Sequence, residues 1–207
     1  MQEFGDVVND DDMAVSSAFA AIRQAAEPLA FQLKNGAAFT WGERYTAFDF
    51  TRKFTAGPGI TYQVRRAAFD QLLIDEAAKQ GAEVRYGHGV TAFRDTGDGA
   101  EVDVQPEDGA AYTVRARFVL DGSGYGRVLP RLLDLERPSV LPERMACFTH
   151  IKDNITDPDY DRQKILISTP TRLRDVWLWL IPFADGVASL GVVGEPARLE
   201  ALGGNPE

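Results

Sequence analysis

The run Trp177-Leu178-Trp179-Leu180-Ile181-Pro182 sets two of the three tryptophans two residues apart on a strand-like stretch that a proline closes. Side chains two apart on a strand point to the same side, so the indoles of Trp177 and Trp179 can wall one cavity while Leu178 and Leu180 pack into the other face. Two tryptophans in such a row can also simply fill core volume. A second stretch, Asp121-Gly122-Ser123-Gly124, closes an apolar run. Its glycines would let backbone amides approach a phosphate or ribose, and its carboxylate could hold a hydroxyl or a water, although a plain strand-ending turn has the same composition. Paired-cysteine chemistry is excluded: Cys147 is alone, so no internal disulfide and no CxxC or Cys/His zinc site can form, which fits a reducing, cytoplasmic setting. His88 and His150 are the only histidines, and each reads as structural or surface; no metal site is expected.

The elements that must carry these residues follow from pattern and punctuation. Residues 14–26 are alanine-rich and helical in character, ended by Glu27-Pro28. From Phe31 to Gly42, FQLKNGAAFTWG alternates around Asn35-Gly36, which predicts a tight hairpin with Lys34 beside its turn. Ile60 to Val64 reads as a strand, Phe69, Leu72, Leu73 and Ala77 recur at helical spacing, Gly81 caps that helix, and Ala82 to Tyr86 reads as a following strand. That makes a βαβ-like unit. From Val90 to Asp121, short strands separated by Asp95–Gly99 and Glu107-Asp108-Gly109 predict a three-stranded meander. Strands at 145–151, 164–168, 176–182 and 187–193 follow without long helices, with a turn at Asp185-Gly186, and predict a separate antiparallel sheet.

At 207 residues, with 44% hydrophobic and 26% charged residues, the chain has the profile of a folded mixed α/β protein. A net charge of -9 argues against a general nucleic-acid partner, and no apolar run is long enough for a membrane span. The N-terminus lacks the charged and apolar regions of an export signal. Neither Gly122-x-Gly124-x-Gly126 nor Gly87-x-Gly89-x-x-Ala92 is a GxGxxG turn entering a helix, so the dinucleotide fingerprint is not expected here.

WLWLIP matches WxWxIP, and by this signature the chain resembles the flavin-dependent halogenases. Four further segments match in order: FQLKNGAAFTWG resembles that family's lysine-bearing segment, YQVRRAAFDQLL its arginine segment, DGSGYGRVLPRLL its flavin-proximal acidic-glycine turn, and IPFADGVASLGVVG the strand pair after the signature. The last four are shared with the wider family of FAD monooxygenases and geranylgeranyl reductases. The resemblance runs from about Phe31 to Gly194 and implies a partial FAD-binding domain of the glutathione-reductase type, with its β-meander, plus an antiparallel substrate-domain sheet. The expected modules are residues 1–60 with the lysine segment, 61–136 as the partial FAD-binding module, and 137–207 as the substrate sheet.

In the halogenases reduced FAD and oxygen oxidise halide to hypohalous acid, which a lysine passes to an aromatic substrate. The resemblance places that catalytic role on Lys34. It places cofactor contacts at Arg66, Val90, Asp121, Gly122 and Gly124, and the substrate pocket at Trp177, Trp179, Ile181 and Pro182. Arg65 is expected to face solvent. FAD supplied in reduced form and a halide ion are the implied cofactors. A small aromatic substrate, free or tethered to a carrier protein, and a flavin reductase are the implied partners. Alternative readings are an FAD monooxygenase or geranylgeranyl-type reductase, and an inactive piece acting at most as a binding module. Because the GxGxxG segment and the C-terminal region of a full member are not in the sequence, an internal piece of such an enzyme is expected, one that does not hold FAD tightly by itself.

Overall fold

The computed structural model describes Ser17, residues 20–57 and residues 59–203. Ser17 and residues 20–26 are helical and pass into a 3₁₀ turn at Glu27–Leu29; the rest of the helix expected from Ala14 lies outside the described residues. In chain order come β1 (Gln32–Lys34), β2 (Gly36–Trp41), β3 (Arg44–Asp49), β4 (Thr61–Gln63) and α1 (Arg66–Lys79). Next are β5 (His88–Asp95), β6 (Ala100–Pro106), β7 (Tyr112–Ala116) and the short α2 (Val128–Leu132). Last are β8 (Met145–Lys152), β9 (Lys164–Thr169), β10 (Trp177–Pro182), β11 (Val187–Gly194) and α3 (Pro196–Ala201).

These elements form two compact units, one comprising the residues up to Ala82 and from Pro142 onward, the other Glu83–Leu141. The first holds a six-stranded sheet in the order β3-β2-β9-β10-β11-β8 and a two-stranded sheet, β1 with β4. The late strands therefore do not form a separate antiparallel sheet: β2 lies parallel to β9, Gly36 opposite Lys164 and Trp41 opposite Thr169, so the lysine segment and the tryptophan strand share one sheet.

Asn35-Gly36 is not a hairpin turn. β1 pairs with β4 rather than with β2, and the extended backbone of Asn35 is held on both sides, its amide donating to the Gln163 carbonyl and its carbonyl accepting from the Phe50 amide. Glycine is required at 36 because a Cβ there would collide with the Phe48 carbonyl. The hairpin falls instead at Gly42-Glu43, where Trp41 pairs with Arg44 and Gly42 has φ +60°, the first central position of a two-residue turn that glycine fills.

α1 forms as its spacing predicts. Gly81 at φ +95° ends it in a Schellman motif, with the Gly81 amide donating to Ala78 and the Ala82 amide to Ala77. The strand expected at 82–86 does not form: among the described residues no strand pairs with it.

The second unit is the expected meander, β5-β6-β7, although β7 ends at Ala116, five residues short of Asp121. β6 reads AEVDVQP because it has two faces. Ala100, Val102 and Val104 are buried, while Glu101 and Asp103 on the other face bind cations of the flanking strands. Arg94 donates twice to Asp103, at 2.6 and 2.7 Å, and Arg115 donates to Glu101 at 2.8 Å. Arg94 first and Thr113 next hold the Asp103 carboxyl down at about 2.

Candidate functional site

Lys34 ends β1 and is 1% exposed, one of the largest fully buried side chains described. Its Nζ donates to the carbonyl oxygen of Arg162 at 2.7 Å. Burial, and then the Arg162 guanidinium, lower its pKa from 10.5 to about 8, against a smaller opposing pull from Asp161. Arg162 is itself tied down, donating to Asp153 Oδ2 at 2.7 Å and to the Phe183 carbonyl at 2.9 Å, and it keeps the Asp153 carboxyl below its ordinary range. A lysine buried this way carries a dry amine that exchanges its proton near neutrality, which suits an amine that must hold or activate an electrophile.

The tryptophans lie on β10 as their spacing requires. Trp177, Trp179 and Ile181 share one face; Pro182 falls in the alternate row, fully buried, and does not share the indoles' face. Across the sheet Trp179 is level with Gly191 and Phe148 on one side and with Ile167 and Phe39 on the other. The Trp179 ring lies flat over Gly191, where any Cβ would overlap it, and its Nε1 donates to the buried Ser189 Oγ at 2.9 Å. Trp177 leans on it with ring centroids 5.8 Å apart, and Phe148 flanks it at 6.1 Å. Trp179 is thus a fixed wall, while Trp177 remains 38% exposed.

Lys34 and the indoles occupy different stretches of this unit. Five residues separate Lys34 from Phe39, the β2 residue level with Trp179, which is roughly 17 Å of extended chain. Among the described residues no hydrogen bond, ion pair or ring contact joins Lys34 to either indole. Ile181 is on the indoles' face, two residues nearer the end of β10 where Phe183 meets Arg162.

Arg65 does not face solvent as expected. Arg65 is half-buried, donating to Asp185 at 2.7 Å with its guanidinium 4.2 Å from the Phe183 ring. Arg66 opens α1 with its side chain 79% exposed and paired to Asp70 at 3.1 Å. Arg66, though exposed, is thus held in a two-bond pair with the carboxylate one turn along its own helix.

In the second unit Val90 sits in β5, at an irregularity between Val90 and Ala92, and not at the end of a βαβ strand. Asp121 accepts from the Ser123 amide at 2.8 Å and the Leu129 amide at 2.9 Å, and Ser123 Oγ accepts from the Val128 amide. Ser123 first and the Leu129 amide next hold the Asp121 carboxyl below its ordinary range, and Asp121 and Ser123 Oγ together take the amides at the start of α2. Gly122 and Gly124 face open space, since a Cβ at either would meet nothing within 4 Å.

Against known proteins, residues 19–139 match the FAD binding domain model. The chain belongs to the FAD-binding domain family. The matched span contains Lys34, Arg66, Val90, Asp121, Gly122 and Gly124, and the tryptophan strand lies beyond it. A flavoprotein/dehydrogenase from Cytophaga hutchinsonii shares the fold at TM-score 0.78 and 38% identity, over 88% of this chain and 44% of that one. The flavin-dependent halogenase CmlS shares it at TM-score 0.74 and 25% identity, over 92% of this chain and 35% of that one. A tryptophan 2-halogenase from Chondromyces crocatus is 26% identical over 180 residues, covering 83% of this chain and 32% of its own. Further relatives are a reductase of digeranylgeranylglycerophospholipids, an anhydrotetracycline monooxygenase, and a brominase of carrier-protein-bound pyrrole. The chain spans about a third of the length of the curated relatives it matches.

As an FAD-binding domain of halogenase-like fold, the chain offers in its second unit one feature that fits the nucleotide. The open backbone at Gly122 and Gly124 admits close approach. The start of α2 fits less well, because its Val128 and Leu129 amides already bond to Ser123 and Asp121. Sequence reasoning did not find Arg162, Asp153 and Ser189: Arg162 meets Lys34 from 128 residues away, while Asp153 holds Arg162 and Ser189 holds Trp179 from 9 and 10 residues away. No local pattern marks them. Phe39 and Trp41 were findable, as residues two apart on the strand that follows Lys34.

Proposed function

We propose that this chain carries the lysine and the aromatic wall of an FAD-dependent halogenase acting on an electron-rich aromatic. Reduced FAD, when bound, supplies with oxygen the oxidising power that turns halide into hypohalous acid. Lys34 then receives the halogen. Its ammonium hydrogen-bonds the hypohalous oxygen and sharpens the electrophile, or its neutral amine exchanges an N–H hydrogen for the halogen with release of water, and a pKa of about 8 makes both forms accessible. Trp177 and Trp179 wall the substrate side, with Trp179 locked by Ser189 and Gly191. In the second unit, the Gly122–Gly124 backbone contacts the nucleotide. The observation that carries this reading is the burial of Lys34, 1% exposed, since a lysine without a task would be left in water.

A second reading, an FAD monooxygenase or reductase, is favoured by relatives of those classes at 29 and 32% identity. One experiment separates the two. Reduced FAD, oxygen, bromide and a phenol are supplied to the protein and to Lys34→Ala. Bromophenol that requires both bromide and Lys34, while bromide oxidation persists in the variant, supports the halogenase. Hydroxylated phenol formed without bromide, or bromination unchanged in Lys34→Ala, overturns it.

A further inference from the structure

Trp41, at the end of β2, stands between two arginines. The Arg44 Cζ lies 5.6 Å from its ring centroid and the Arg174 Cζ, from the β9–β10 connection, lies 5.3 Å away. Neither guanidinium makes an ion pair among the described residues, although the chain carries a net charge of -9 and most other arginines are paired to carboxylates. The three residues border a cavity of ≈ 770 Å³, whose other walls include Phe39, Tyr45 and Thr46 and which no carboxylate lines. Trp41 itself is 41% exposed.

Two cations held on one indole repel each other, and an oxyanion beside them relieves that repulsion. Stacking on a ring uses the flat face of a guanidinium and leaves its N–H edge for in-plane bonds to an anion. The cavity size is that of a small-molecule site, and its wall is aromatic apart from threonine hydroxyls. No glycine-rich nest of backbone amides lines it, which is what phosphate sites commonly use, and the acidic chain opposes a dianion more than a monoanion.

We propose that the Arg44–Trp41–Arg174 cavity binds an aromatic carboxylate, the arginines holding the carboxylate and the rings of Phe39, Trp41 and Tyr45 the arene. This site stands apart from Lys34 and does not depend on halogen transfer.

The test is calorimetric titration of the full 207-residue chain with 2-naphthoate, its neutral isostere 2-naphthamide, and 2-naphthyl phosphate. 2-Naphthoate should bind, the amide at least about tenfold more weakly, and the phosphate no more tightly. Arg44→Gln and Arg174→Gln should each weaken 2-naphthoate about tenfold, the scale of one charge-assisted hydrogen bond. The ligand series on the unaltered protein remains decisive should a variant fold poorly. The proposal is overturned by absence of 2-naphthoate binding at millimolar concentration, by equal affinity for the amide, by tighter binding of the phosphate, or by well-folded arginine variants that bind unchanged.

Discussion

The Lys34 ammonium donates to the carbonyl of Arg162 at 2.7 Å and so sits beside a second cation, whose own charge is spent on Asp153. Arg162 thus helps make Lys34 a weak base while supplying the acceptor that keeps it in place.

This arrangement sets a pH dependence of stability. Below pH 8 folded and unfolded chains both carry the Lys34 proton, and the fold bears the full cost of charging a buried amine. Between about 8 and 10.5 only the unfolded chain stays protonated, so stability rises with pH, and above 10.5 the gain is complete. The interval corresponds to about 3 kcal/mol. Urea unfolding of the protein and of Lys34→Met should show the difference between them shifting toward the unaltered protein by about that amount from pH 7 to 10.5. A difference independent of pH would contradict it.

Asp153→Ala removes the partner that fixes Arg162. Loss of about 2 kcal/mol is expected, the scale of a hydrogen bond between charged groups. Because the Asp153 carboxyl is held below its ordinary value, its contribution is present above pH 3.8 and lost as pH falls through the lowered value. Denaturant midpoints at pH 7 and at acid pH check both the size and the direction.

Gly191→Ala forces a methyl into the Trp179 ring. Overpacking of this kind costs about 1–3 kcal/mol. Near-ultraviolet circular dichroism should change with stability, because the displaced indole loses its bond to Ser189. A variant with unaltered stability and spectrum would show that Trp179 is not clamped.

Asp121→Ala removes the carboxylate that takes an amide at the start of α2, and amide exchange should locate the effect. Leu129, which bonds to Asp121, should exchange faster, while Val128, which bonds to Ser123, should change less. Equal protection in both proteins would contradict that role.

Much of this was legible in the chain. The WLWLIP strand, its alternation, the Asp185-Gly186 turn and the Gly81 cap depend on nearest neighbours and appear as expected. Asn35-Gly36 misled because its composition suits a turn, whereas its glycine answers a steric need set by Phe48 across the ladder. The strand expected at 82–86 failed for a similar reason: periodicity shows that a segment can extend, not that a partner lies beside it. Arg65 and Arg66 are adjacent, and only the placement of Asp185 and Phe183 decides which of them packs. Lysine burial is likewise invisible locally, since it is made by Arg162, 128 residues away.

Halogen transfer at Lys34 requires a dry amine that changes charge near neutrality. Nuclear magnetic resonance titration of lysine-labelled protein, with the Lys34 signal assigned by its absence from Lys34→Met, measures this directly. A midpoint near pH 8 is expected; a midpoint near the ordinary 10.5 would mean an amine in contact with water and would contradict the central claim.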